Sequence, residues 1–322
     1  MRIVSLVPGA TEMLFALGLG DNVVGVSHEC DHPPGALALP RVTRSNLDLD
    51  GLDGGAVDLA VKEALAGGGP LYSVDLEAVA ALRPDLVVAQ DVCDVCAVAA
   101  DDVRLPGLPV LRQHPHSLAD VLGDIERLGA ACGADAGPLL SSLAERIEAA
   151  TAGRERVRGV FLEWLDPPYP AGHWTPDLLR LAGVDDPLAS AGGPSRAVTW
   201  EAVRDARPEV LLVAPCGFDE ARARAEVGRM ADRIAATGAS RTAVFDGSAY
   251  FNRAGPRLVD SLELIAAAVS GRQGGAGPPF RNPPSVRDAG GAAPPHEIRT
   301  PPPRFRGDPG SGASLRDSSP RQ

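Results

Sequence analysis

Short apolar runs and amphipathic stretches take turns along this chain. Runs of the kind that form buried strands occupy residues 2–7 (RIVSLV), 22–27 (NVVGVS), 85–89, 109–113 (PVLRQ) and 158–162, and another ends at Phe245 or Asp246. Between them the apolar spacing becomes helical. A helix opens at Thr11 or the residue before it, another covers about 57–65 within the polar, glycine-rich stretch 44–70, and a third covers 76–82. Strands that alternate with helices predict mainly parallel sheets.

The pattern also repeats. LEAVAALRPDLVVAQ (76–90) and WEAVRDARPEVLLVAP (200–215) share a helix ending in Arg-Pro, an acidic residue and an apolar strand. Upstream of each, TEMLFALGLGD (11–21) and TPDLLRLAGVDD (175–186) share a Thr-led helix that runs into Gly and Asp. The unit occurs twice at a spacing above about 100 residues, far from the roughly 20–50 of a solenoid. The reading is an α/β fold of two Rossmann-like lobes with parallel sheets. Between them, 117–131 places Leu118, Val121, Leu122, Ile125 and Leu128 on one stripe. Such a single connecting helix is a rod of roughly 22 Å that predicts limited opening. The expected divisions are a first lobe 1–116, the helix 117–132, a second lobe 133–272, and a disordered Pro/Gly/Arg-rich tail 273–322 containing His296.

The 322 residues carry a formal charge of -11 with a pI near 5.0, which excludes a general nucleic-acid binder. No apolar run approaches the roughly 18 residues of a membrane span. The first residues read as a strand and not a secretory leader, which predicts a cytosolic chain as written, or a periplasmic or extracellular one if the true start lies upstream. Five cysteines, an odd number, fit a reducing compartment.

In parallel sheets ligands sit beyond the carboxyl ends of the strands. Those loops carry His28, Cys30, Gln90, Asp91, Cys93, Cys96, His114 and His116 in the first lobe. In the second they carry Glu163, Trp164, His173, Trp174, Cys216, Phe218, Tyr250, Phe251, Arg253 and Arg257. The spacing of Cys93 and Cys96 lets two thiolates hold one soft metal such as zinc or iron, or form a redox disulfide. Cys30 and Cys216, with His28 and His173, are the groups that would complete a metal site; the alternative is that Cys30, Cys132 and Cys216 are small buried apolar residues. Clustering of Trp164, Tyr169, Trp174, Phe218, Tyr250 and Phe251 points to a flat, partly apolar ligand, against the alternative that they cap their own lobe. Glu163 and Asp166 lack a matched nucleophile, which disfavours glycosidase-like catalysis.

Three segments carry a family resemblance over about residues 1–272: SLVPGATEMLFALGLGDNVVGVSHECDHPP, LRPDLVVAQ and YFNRAGPRLVDSLELIAAAV. The chain resembles the cobalamin- and iron-siderophore-binding receptors of ABC importers, the helical-backbone class of periplasmic binding proteins. The resemblance implies two lobes, one connecting helix and a shallow cleft that binds without catalysis. It implies that Pro8, Gly9, Ala10 and Thr11 line the cleft, that Tyr250 packs on a corrin, and that Arg253 and Arg257 form the matching arginine motif. Asp101 and Asp102 fall near the acidic residues that dock such receptors on a permease. The expected function is therefore binding of cobalamin or a related corrinoid or metal chelate, stacked on Trp174, Tyr250 and Phe251, with His28 or His173 as axial ligand. CDVC, EWLDPP, GHW and PCGF depart from the exported receptors. They motivate the rival expectation, a cytosolic metal- or thiol-dependent enzyme on the same fold.

Overall fold

The computed structural model describes residues 1–91 and 105–270, so Cys93, Cys96, Asp101, Asp102 and the 273–322 tail lie outside the described residues. The first apolar run condenses to the buried strand β1 (Ile3–Ser5). Helix α1 (Pro8–Ala16) begins earlier than expected, because a proline in its first turn has its φ already set and no N–H to satisfy. Thr11 thus lies inside the helix, its hydroxyl 2.8 Å from Ser5 Oγ and 3.2 Å from the Val7 carbonyl, and caps nothing. Strand β2 (Val23–Val26) follows. The polar, glycine-rich stretch holds its expected helix as α2 (Gly54–Ala66), and a hairpin of β3 (Thr43–Ser45) and β4 (Tyr72–Val74), not expected from the sequence, closes around it. Strands this short, none of them fully buried, show no readable period. Helix α3 (Leu76–Ala81), β5 (Leu86–Gln90) and β6 (Val110–Gln113) complete a parallel sheet of order β2-β1-β5-β6.

Two helices, α4 (Leu118–Cys132) and α5 (Gly137–Thr151), lead to the second sheet. It starts with β7 (Val157–Leu165) and β8 (Pro168–Pro170), followed by α6 (Thr175–Leu181) and β9 (Val184–Asp185). Helix α7 (Trp200–Asp205), β10 (Val210–Val213), α8 (Glu220–Arg229), α9 (Ala231–Ala235) and β11 (Arg241–Val244) come next, then α10 (Gly247–Tyr250) and α11 (Leu258–Val269). Strands β7, β10 and β11 run parallel, β9 pairs parallel with the start of β7, and β8 pairs antiparallel with its end. Two prolines fit β8 because an edge strand leaves one row of N–H positions unused.

The repeat extends to the backbone. Arg83 and Arg207, the arginines of the two Arg-Pro pairs, both sit in the left-handed region, at φ 47° and 48°. Gly18 and Gly183, which end α1 and α6, do likewise at 77° and 84°. Asp85 N–H then donates to the Arg2 carbonyl and Glu209 N–H to that of Arg158, each at 2.8 Å. Two lobes with the same turns at the same places are what the repeated sequence encodes.

Helix α4 buries Leu118, Val121, Ile125 and Leu128 as its stripe predicted, with Leu122 partly covered. Ser117 caps it through Asp120 N–H, and Gly133, left-handed at φ 72°, ends it. The cluster to which α4 contributes runs from Ile3 and Met13 in the first lobe to Leu178 and Ile265 in the second. Smaller clusters fill the other sheet faces, around Val4 and Val87 and around Val160 and Leu211. At the start of α1 the lobes meet without a gap. A Cβ on Gly9 would run into the carbonyl of Ala254, so Gly9 is closed off where the family resemblance placed a cleft wall.

Asp186, just beyond β9, accepts the N–H of Phe161 (2.8 Å) and of Leu188 (2.9 Å). Burial pushes its pKa up to about 6 against those donors. The folded state therefore holds a proton that the unfolded chain has released, and this contribution, full below pH about 4, is lost as pH rises through about 6. A carbon-13 titration of the Asp186 carboxyl should give a midpoint near 6, and one below about 4.5 would refute the assignment. Gly9→Ala should lower unfolding free energy by about 1–3 kcal/mol in urea titration, since backbone and not a flexible side chain must yield.

Candidate functional site

The loops at the strand ends build three assemblies between the lobes. The first is a charge clamp. Glu12 on α1 is buried and accepts two hydrogen bonds from Arg257, Nε to Oε2 at 2.9 Å and Nη2 to Oε1 at 2.5 Å. Arg253, also buried, donates through both terminal nitrogens to Asp31 and sits 3.7 Å from Glu12. Burial opposes ionisation of Asp31, but the hydrogen bond and charge of Arg253 outweigh it and hold the carboxyl below its ordinary value. Arg253 was expected to contact ligand; its guanidinium is instead committed to Asp31, Glu12 and Ser248. Ala10 and Thr11 are likewise enclosed, and only Pro8 of the 8–11 segment keeps partial exposure.

The second assembly is aromatic. Helix α2 extends from the first lobe onto the second, where Trp164 Nε1 lies 3.2 Å from the Gly54 carbonyl and Tyr169 Oη lies 3.2 Å from Asp58 Oδ1. Glu226 accepts the Gly54 N–H, and Arg222 donates to the Leu52 carbonyl. Phe218 is buried edge-on to Trp164, with ring centroids 4.9 Å apart and the Arg222 guanidinium 3.7 Å above its ring. Trp164, expected to line the ligand site, thus receives a helix, and Phe218, expected there too, packs on Trp164 and Arg222. The signal for that helix was Asp53-Gly54-Gly55: Asp53 caps α2 through Ala56 N–H, and a side chain on Gly54 would strike Glu226. Trp174 and Phe251, the other expected platform, belong to the core. Trp174 Nε1 donates to the Phe251 carbonyl at 3.0 Å, and the Phe251 ring packs on Phe161 and Phe245. A tryptophan N–H buried with a partner is fully used. Tyr250 remains half-buried, with Arg257 beside its ring.

The third assembly is histidine-rich. His28, after β2, bonds Thr43 Oγ1 through Nδ1 at 2.7 Å and tilts against Tyr72. Its Nε2 has no hydrogen-bond partner, although the Glu29 carboxylate lies 3.4 Å away. Burial lowers the pKa of His28 despite Glu29, which keeps the ring neutral. After β6, His114 and His116 pack edge-on with ring centroids 4.4 Å apart, and His116 lies 5.8 Å from the ring of His173 in the second lobe. The His-Pro-His spacing after the last strand of the lobe was the available signal for this packing. Gln90 is buried at the end of β5, Asp91 pairs with Arg112, and Glu163 accepts the Gly172 N–H.

The expected cysteine site is not assembled around Cys30. Its sulfur is enclosed 3.1 Å from both Thr11 Oγ1 and Ser27 Oγ, and burial pushes the thiol up, away from the thiolate a metal needs. Cys216 is half-buried after β10. Among the described residues no three His, Cys, Asp or Glu groups stand ready to hold a metal, and no helix is long and apolar enough to cross a membrane.

Comparison with known proteins places this arrangement. A family model described as periplasmic binding protein matches residues 3–239. A vitamin B12-binding protein of Vibrio cholerae is 24% identical over 277 residues, covering 82% of this chain and 87% of that one. An ABC transporter substrate-binding lipoprotein of Bacillus subtilis is 27% identical over 282 residues, covering 83% and 79%. Among solved structures, the periplasmic vitamin B12-binding protein of Vibrio cholerae superposes with a TM-score of 0.57 at 21% identity, over 84% of this chain and 96% of that one. A periplasmic heme-binding protein of Roseiflexus sp. RS-1 superposes with a TM-score of 0.60 at 23% identity, over 83% and 97%.

Removal of Glu12 leaves buried Arg253 and part-buried Arg257 with one carboxylate fewer. Glu12→Ala should cost about 3–5 kcal/mol in chemical denaturation, while Glu12→Leu with Arg257→Met should recover much of that loss. A cost below about 1 kcal/mol for Glu12→Ala would mean that the pair is solvated as a surface pair is.

Proposed function

The chain belongs to the periplasmic binding protein family, and from that premise we propose that it is the binding component of an ABC importer whose cargo is a corrinoid or a related metal macrocycle. The family binds and does not catalyse, so the cargo is held between the lobes and handed unchanged to a permease. Relatives described as periplasmic or as a lipoprotein support a place outside the cytoplasm over the cytosolic alternative.

One observation carries the choice of cargo class. His28 has the arrangement of an axial ligand to a metal: Nδ1 is fixed by Thr43 at 2.7 Å, and Nε2 has no hydrogen-bond partner. An imidazole tied at one nitrogen presents the other in a set direction and tautomer. Its lowered pKa keeps that lone pair available at neutral pH. Glu29, exposed beside it, is the group that would swing aside on binding. In this reading Gln90, Asp91 and Glu163 supply polar contacts at the rim, and Tyr250 supplies the remaining half-buried aromatic surface. The names of relatives that bind vitamin B12 and heme support the same class.

The test is titration of the reduced full-length protein with hydroxocobalamin and, separately, with hemin, followed by calorimetry and visible absorbance. Binding at micromolar affinity or tighter, with a spectral shift that His28→Ala abolishes, is the expected result for one of the two. Absence of binding to both would exclude the macrocycle class. Binding with no spectral change in wild type or His28→Ala would remove His28 from the site.

A further inference from the structure

We propose that His114, His116 and His173 form a binding site for a divalent transition-metal ion at the seam between the lobes. It uses none of the residues proposed above to hold the macrocycle, and it does not rest on that reading.

The first two ligands are already in place. His114 and His116 point Nε2 at Nε2 across 2.9 Å, with their rings at 84° to one another. In the absence of metal one proton must lie between those nitrogens. Two imidazole nitrogens each about 2.0–2.1 Å from one ion, at a coordination angle between 90° and tetrahedral, stand about 2.9–3.4 Å apart. The separation suits two ligands of one ion; each ring turns by about 35–45° so that both lone pairs converge on an ion beside the line joining the nitrogens.

The third ligand comes from the other lobe. The His173 ring lies 5.8 Å from that of His116, centroid to centroid, and its Nδ1 is buried without a hydrogen-bond partner. The three rings are not yet a finished coordination set, but turning His173 toward the pair sacrifices no hydrogen bond at Nδ1. His173 also occupies the left-handed region at φ 50°, a conformation that non-glycine residues adopt at a cost and that clusters at functional positions.

The surroundings are built to hold these rings. Asp177 on α6, four residues beyond His173, accepts the Leu118 N–H at 3.1 Å and so ties the segment carrying His173 to the one carrying His116. Asp120 accepts the backbone N–H of His116 at 3.0 Å. Asp124, wholly buried on α4, pairs with Arg127 through one carboxylate oxygen and keeps the other without a hydrogen-bond partner. Three imidazoles suit nickel, copper, zinc or cobalt, and not calcium or magnesium.

Cobalt(II) chloride is the probe, because thiolate ligation adds an intense near-ultraviolet charge-transfer band that imidazole ligation lacks. It is titrated into full-length protein freed of metal, both with its cysteines intact and as Cys93→Ser/Cys96→Ser. One equivalent with imidazole-type d–d bands in both forms is the expected result. His114→Ala/His116→Ala should weaken binding more than a hundredfold, and His173→Ala at least tenfold. Hydroxocobalamin or hemin binding that survives in the double histidine variant would support separate sites; loss of macrocycle together with cobalt would overturn the separation. A thiolate band that vanishes with the cysteines, no binding, or affinity unchanged in the double histidine variant would overturn the metal site itself. Circular dichroism melts of each variant separate loss of a ligand from loss of the fold.

Discussion

Two arginines of the second lobe reach into the first and share two carboxylates there, and the relation between the lobes rests on that contact. Glu12 and Arg253 are buried, so neither charge is satisfied by water. Arg257 neutralises Glu12 through a two-pronged hydrogen bond, and Arg253 neutralises Asp31 in the same way. Planar guanidinium and planar carboxylate fit in one orientation only, so the clamp fixes direction as well as distance. Gly9 beneath it lets α1 approach residue 254 backbone to backbone, which no residue with a side chain would allow. A buried network of this kind contributes less to net stability than to uniqueness, because desolvation cancels much of the attraction.

Around the clamp, apolar contacts distribute the load. Helix α4 adds its stripe to a core shared by both sheets, and α2 crosses to the second lobe to meet Trp164. Three independent ties resist a wide hinge motion: the clamp, the rod and the crossing helix.

The cysteine and aromatic signals illustrate how the same residue types serve structure. Cys30 is a small buried group held by two hydroxyls, and Trp174 spends its N–H on the Phe251 carbonyl. The histidines differ, because His28 and His173 each keep a buried ring nitrogen with no hydrogen-bond partner and His116 meets His114 nitrogen to nitrogen. A buried polar atom left without a hydrogen bond carries a cost that a ligand can relieve. For that reason the functional reading passes from thiols and stacked rings to imidazoles.

Much of the fold was legible in the chain before any coordinates. Apolar runs and the helical stripe on α4 mark elements by period alone, and the doubled Arg-Pro and Gly signals mark turns whose left-handed backbones then coincide within a few degrees for the arginines. Local patterns of this kind depend on neighbours a few residues away, so sequence by itself determined the lobes, the parallel sheets and the family. The site was less legible. Whether Arg253 meets a ligand or Asp31, whether Trp164 meets a cargo or Gly54, and whether His173 stands near His116 depend on pairs separated by 222, 110 and 57 residues. Only the tertiary structure decided these, because the energy of a charge, a ring or a lone pair is set by what lies within a few ångströms of it, and chain order does not specify that.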